Sequence, residues 1–367
     1  RSLNFYPVGK EKAEEGIASL ALGLGKYIVE GGQTLRVSPY HPDQVLQTSE
    51  LKTALRDTQT SFYALDMNHV GTDFQVDDGF NILHLKVRDA VKDGSLNFIA
   101  STYNADDQVI RDGLYEGGRK LITFSPLLRQ GVIPLPQVLQ MSMKYGSEAM
   151  RRPVEIEFAC NVNADRTADF YLLQIRPIVD AKQELAEDIT AIPDDRCLIR
   201  SHNSLGHGTS EEVTDVVYVK YDDTFSAADN AMVVQDIGRI NRKFIDEGRN
   251  YVLIGPGRWG SSDLWLGVPV KWADISAARL IVEVAIKNYR VDPSQGTHFF
   301  QNMTSFGVGY FTIDTNHPGS GGIICKEKLD AMPAVEETAR VRHVRFARPL
   351  RIMMDGMKQE GVVMTTE

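Results

Sequence analysis

The chain has 367 residues, 43% of them hydrophobic and 24% charged, the composition of a folded globular protein and a length that suggests two domains. A formal net charge of −9 argues against nucleic acid or a membrane surface as partner, and no apolar run reaches the length of a bilayer span. Three widely spaced cysteines, Cys160, Cys197 and Cys325, give neither a disulfide framework nor a metal knuckle and fit a reduced, cytoplasmic setting.

The chain opens at Arg1 without a methionine, directly in a helical pattern, and so reads as a fragment or a processed product. Residues 10–30 are expected to form a helix running into a Gly-punctuated segment, and "GGQTLRVSPYHPD" a turn, a strand and a proline-rich loop. "FNILHLKV" and "LNFIAST" are strand candidates, followed by a flexible stretch, "NADDQVIRDGLYEGGRK". Residues 134–150 predict a helix with Pro136 in its first turn. "PVEIEFACNV" and "DFYLLQIRPIV", joined by the polar "NADRTA", predict a hairpin. The charged stretch 181–195 marks the domain boundary.

In the second half, "CLIRS" is a strand and "NSLGHG" a glycine-bearing loop, followed by the β-rich "VTDVVYVKYDD". A helix near 235–247, the strand "NYVLIG", the loop "PGRWGSSD", a helix "ADISAAR" and the strand "LIVEV" follow. "QGTHFFQNMTSFGVGYFTI" reads as loop, short helix and strand, and "LRIMMDGMKQEGVVM" as two strands around an Asp-Gly turn.

The residues that carry chemistry sit on the predicted hairpin. Glu155 and Glu157 share one face of their strand, and Gln174 and Arg176 share one face of the next. A carboxylate, an amide oxygen and a guanidinium on one surface suit a metal–nucleotide site. Mg2+ takes hard oxygens while keeping waters and phosphates, and Arg clamps phosphate bidentately. The same residues also read as solvated polar positions on the open face of an antiparallel sheet.

"VEIEFACNVNADRTADFYLLQIRPI" resembles the end of the ATP-binding domain of the phosphoenolpyruvate synthase and pyruvate phosphate dikinase family. "GLGKYIVEGGQTLRVSP" is similar to an earlier segment of that domain, with Lys26 where the family usually has glutamate. The resemblance implies a mixed α/β chain: the C-terminal half of an ATP-grasp fold over 1–185, then a β/β/α swivelling domain over 195–367. It further implies Glu157 and Gln174 as ligands of Mg2+ and Arg176 as the contact to ATP phosphates. The family's first ATP-grasp subdomain would precede residue 1, so the isolated fragment is expected to be inactive.

"VLIGPGRWG" contains G-x-G-x-x-G at Gly255, Gly257 and Gly260. A dinucleotide site needs a helix to open there, and "SSDLWLGVPVKW" is instead rich in strand formers. A tight turn and a phosphate- or partner-contacting loop using Arg258 are the readings left. His298, beside two phenylalanines, reads either as a packed structural residue or, by resemblance to the family's swivelling domain, as its phosphohistidine. His202, His207 and His317 lie in polar or glycine-rich loops and read as surface residues.

The resemblance thus implies a piece of an ATP-dependent phosphotransferase. A phosphoryl group would pass from ATP through a histidine toward pyruvate, held in a domain outside this chain. The rival readings are a non-catalytic nucleotide-sensing or scaffold module of that ancestry, and a dikinase acting on another acceptor. A homo-oligomer is compatible with the sequence, which carries no signal of oligomeric state.

Overall fold

The computed structural model describes residues 1–69, 79, 81–92, 94–178, 185, 187–222, 225–261, 266–286, 297–314 and 321–366. The chain is a mixed α+β protein that divides into two compact units, one comprising Arg1–Asn4 and Gly9–Ile178, the other Phe5–Val8 and Val179–Glu367. Among the described residues no helix is long and apolar enough to cross a membrane.

The first unit begins with short antiparallel strands β1 (Ala18–Leu20) and β2 (Leu35–Val37), with the four-residue helix α1 (Lys26–Val29) between them. The helix expected over 10–30 is therefore confined to that one turn. Gly16 and Gly23 have positive φ, 74° and 94°, and a β-carbon would lie 2.6 Å from the Arg1 carbonyl at the first and 2.5 Å from the Tyr63 carbonyl at the second. Buried Gln59 fixes the extended path, accepting from the Leu22 amide at 2.8 Å and donating to the Leu22 carbonyl at 2.9 Å. These distant contacts override a helical local pattern.

Helix α2 (Leu51–Asp57) precedes the antiparallel pair β3 (Ser61–Leu65) and β4 (Ile82–Lys86). The stretch 104–120, expected to be flexible, instead supplies most of a three-stranded antiparallel sheet of β5 (Ala100–Asn104), β6 (Val109–Asp112) and β7 (Arg119–Ile122), with β5 in the centre. Asn104, Asp106 and Asp107 make the β5–β6 turn, the usual chemistry of a tight reversal, while the Gly-rich 113–118 carries the chain from β6 to the other side of β5. After the short α3 (Ser125–Leu128), α4 (Leu135–Met150) starts with Pro136 in its first turn, where the missing amide proton costs nothing. The hairpin β8 (Val154–Val162) and β9 (Ala168–Pro177) completes the unit. Its core gathers Leu20, Leu35, Phe62, Leu96, Ile122 and Leu139, with Phe158 and Phe170 of the hairpin packed against it.

The second unit is organised by one curled, mixed sheet. Its strands are β10 (Cys197–Ser201), β11 (Ser204–Leu205), β12 (Gly208–Val219) and β13 (Tyr251–Pro256), then, after the short parallel pair β14 (Arg258–Trp259) and β15 (Gly267–Val268), β16 (Ala278–Ala285), β17 (Gly309–Asp314), β18 (Ile323–Ile324), β19 (Ala334–Glu337), β20 (Val341–Asp355) and β21 (Glu360–Thr365). The order is β11-β17-β16-β13-β12-β20-β21-β10-β18, with β19 beside β20. β12 (over Asp215–Tyr218), β13, β16 and β17 run parallel, and β13, β16, β17 and the 215–219 end of β12 are buried almost throughout, as near-continuous apolar runs require. β20 pairs β12 along its length, but the ladder slips between Leu350 and Arg345; Pro349, which has no amide to donate, lies in that break.

Helix α5 (Asn230–Asp246) buries Val233, Ile237, Ile240 and Phe244 along one stripe, and α6 (Thr297–Phe306) and α7 (Lys326–Ala331) are the unit's other α-helices among the described residues. The helix expected at "ADISAAR" is only a 3-10 turn over Trp272–Asp274. Buried Asn241 takes over the backbone there, donating to Ala273 O at 2.9 Å and accepting from the Ala277 amide at 2.9 Å. His207 is not a surface residue: it stacks on Phe5 at 4.5 Å and accepts from the Gly356 amide at 3.1 Å. His202 is exposed and pairs with Glu360 at 2.9 Å; His317 lies outside the described residues.

Candidate functional site

The β8–β9 hairpin is amphipathic. Its inner face meets α4 at Gly146, where a β-carbon would lie 2.6 Å from Ile175 Cδ1 and 3.2 Å from Val154 Cγ2. Alternation along each strand then turns Glu155, Glu157, Gln174 and Arg176 to the opposite face. The end loop is held by its own side chains. Asp165 accepts from the Thr167 amide at 2.9 Å and from its hydroxyl at 2.6 Å, while Arg166 takes the left-handed conformation that the reversal needs.

The register places Glu157 opposite Gln174 and Glu155 opposite Arg176. Directly opposite residues on one face have β-carbons roughly 4.5–5.5 Å apart. Immediately beyond Glu157 the ladder shifts, so that Phe158 pairs with Leu172 and Leu173 is the extra residue of a bulge. Glu157 and Gln174 are exposed, and their side chains have no hydrogen bond or ion pair with another described residue.

Arg176 donates to Glu155 Oε2 at 3.2 Å, and Arg1 donates from Nε to Glu155 Oε1 at 3.1 Å. Burial pushes the Glu155 carboxyl upward, but the charges of Arg1 and Arg176 outweigh it and hold the pKa below its ordinary value. Glu155 is a partner of Arg176 to which the sequence by itself assigns no role. It was detectable as a second carboxylate on the same face, but the pairing depends on the register.

Among the described residues no three His, Cys, Asp or Glu side chains converge to hold a metal ion by themselves. The hairpin offers a two-oxygen set, Glu157 and Gln174. That set fits Mg2+ only as the protein's share of a shell completed by water and phosphate.

His298 lies in the first turn of α6, and its side chain is outside the described residues. The helix is anchored elsewhere: Phe299 meets Trp272 edge-on at 5.5 Å and Met303 is fully buried. Among the described residues no helix opens at the glycine loop. A β-carbon on Gly255 would lie 2.3 Å from Trp259 Cζ2, so that glycine exists to admit the buried indole. Gly257 and Gly260 have positive φ, 66° and 78°, and turn the chain into β14 and its parallel partner β15. The loop also buries a carboxylate: Glu283 on β16 accepts from the Trp259 amide at 2.9 Å, and the charge of Arg258 reaches it.

No protein-family model, curated protein or solved structure matches this chain.

Proposed function

We propose that this chain supplies a magnesium–nucleotide phosphate contact in an ATP-dependent phosphotransferase of the phosphoenolpyruvate synthase and pyruvate phosphate dikinase type. The observation that carries the reading is the register of one hairpin, which sets Glu157 against Gln174 with Arg176 two residues along the same exposed face. Glu157 and Gln174 would hold Mg2+ through a carboxylate and an amide oxygen. When bound, the ion neutralises charge on the transferred phosphoryl group.

Arg176 would clamp a phosphate oxygen pair. Its bond to Glu155 is solvent-exposed, with 54% of the arginine side chain accessible. Such pairs contribute about 1 kcal/mol or less, so a phosphate can replace the carboxylate. The first unit is read as the second half of an ATP-grasp fold and the second as a swivelling domain. The second assignment rests on the succession of β13, glycine loop, β16, α6, β17 and the closing β20–β21 hairpin. His298 is its phosphoryl carrier, placed in the first turn of a ten-residue helix, where amide dipoles favour an anionic group. Pyruvate is the acceptor in this reading, bound outside the chain.

A second reading, a nucleotide-sensing module without catalysis, is favoured by Glu155, which already occupies Arg176. Labelled ATP separates the two when incubated with the protein that carries this chain in its full sequence context. Transfer predicts an acid-labile, base-stable phosphoryl label that disappears in His298→Ala. Absence of label with retained ATP binding points to the sensing module, and label that survives His298→Ala overturns the carrier assignment.

A further inference from the structure

A cleft of about 750 Å3 opens in the first unit, away from the hairpin residues, between the end of β4 with the 3-10 turn after it (Val87–Val91) and the loop entering β7. Its walls bring together four cations, Lys86, Arg88, Arg119 and Lys120, against one carboxylate, Glu116. In a chain of net charge −9, this local excess of positive charge runs against the composition. Lys86 and Arg119 have no ion-pair partner among the described residues, and Arg88 has only a loose, exposed contact to Asp89 at 3.8 Å. Three cations are thus held at one cleft with little internal neutralisation.

Lys120 has a different part. Its ammonium donates to the carbonyls of Tyr115 and Gly117, the latter at 2.5 Å, and so removes two acceptors that would repel an anion at the rim. The rim is pinned before any ligand arrives. The Tyr115 amide donates to Thr102 Oγ1 at 3.1 Å. Gly118, with φ 63°, passes so close to the Tyr103 carbonyl that a β-carbon would lie 2.4 Å from it. Beside the charges stand Tyr115 and Val91, both exposed, over buried Val87. Cations beside exposed apolar side chains, in a cavity of ligand size, are what a phosphate ester with a flat organic body requires.

We propose that this cleft is a binding site for an organic phosphate: Lys86, Arg88 and Arg119 take the phosphate, Tyr115 and Val91 take the body, and Lys120 holds the rim. The site shares no residue with the Glu157–Gln174–Arg176 face and does not depend on the function proposed for it.

The test is calorimetric titration of the intact protein at low salt with 1-naphthyl phosphate, beside 1-naphthol and inorganic phosphate. Saturable binding of the ester is expected, with the alcohol and the free anion each weaker. Lys86→Gln combined with Arg119→Gln is expected to weaken the ester at least about tenfold, whereas Arg176→Gln leaves it unchanged. The charge-preserving pair Lys86→Arg and Arg119→Lys should retain binding. Absence of saturable binding by the ester overturns the proposal, as does equal binding of 1-naphthol, or equal binding of inorganic phosphate. A loss caused by Arg176→Gln but not by the cleft pair would move the anion to the hairpin and overturn it as well.

Discussion

The hydroxyl of Tyr310 on β17 donates a 2.5 Å hydrogen bond to Glu283 on the neighbouring strand β16, and both residues are buried inside the second unit's sheet. Desolvation pushes the Glu283 carboxyl up from 4.5 to about 8, against the opposing pull of Tyr310, the Trp259 amide and Arg258. A carboxyl raised on folding binds more protons folded than unfolded. Its stabilising contribution is therefore complete below pH 4.5 and is lost as pH rises through about 8.

Between those values this one group should lower the stability of the second unit by up to about 1.4 kcal/mol per pH unit. Glu283→Gln keeps the shape and removes the titration. Urea unfolding at several pH values should show the wild-type decline flattened in the variant. An unchanged slope would assign the decline to other groups.

Asp215 shows the opposite sign. It is fully buried and accepts from His343 Nε2 at 2.7 Å, Arg345 Nε at 2.8 Å and Thr214 Oγ1 at 2.5 Å, with Arg249 also bonded to it. Burial alone would raise its pKa, but these partners hold it at about 2. Its contribution should be present above 3.8 and be lost as pH falls through about 2. Asp215→Asn leaves two guanidiniums and an imidazole without their shared anion, and should cost about 3–5 kcal/mol in unfolding free energy at neutral pH. A cost below about 1 kcal/mol would mean that solvent can replace the carboxylate.

Gly255→Ala should destabilise the second unit by about 1–3 kcal/mol, because a methyl group cannot enter the space of the buried Trp259 ring without displacing it. Thermal unfolding and near-ultraviolet circular dichroism of the indole give the check. An unaltered tryptophan signal with unchanged midpoint would show that the loop relaxes freely.

Arg176→Ala removes an exposed ion pair and should change unfolding free energy by about 1 kcal/mol or less. If the proposed site operates, Mg–ATP affinity of the protein in its full sequence context should fall by about tenfold or more, and Glu157→Gln should weaken the magnesium dependence of binding. Loss of folding in Arg176→Ala would make the arginine structural instead.

The β8–β9 hairpin was legible from residues alone, because period-two alternation and a polar reversal are local signals that need no distant partner. The same holds for α4 with Pro136 and for the apolar parallel strands β13 and β16. Contacts distant in sequence were not legible. Gln59 straightens the chain at Leu22, and Asn241 claims the backbone at Ala273 and Ala277. Arg176 bonds to Glu155, and Glu157 faces Gln174, because the bulge beyond Glu157 fixes one register among alternatives that alternation treats alike. Glu283 reads as an ordinary polar residue in an apolar run until Tyr310 and Trp259 close over it. The basic cleft draws on residues from 59 to 120 that no short motif links. Local pattern sets which face a side chain takes, whereas packing between segments far apart in the chain sets what that face meets.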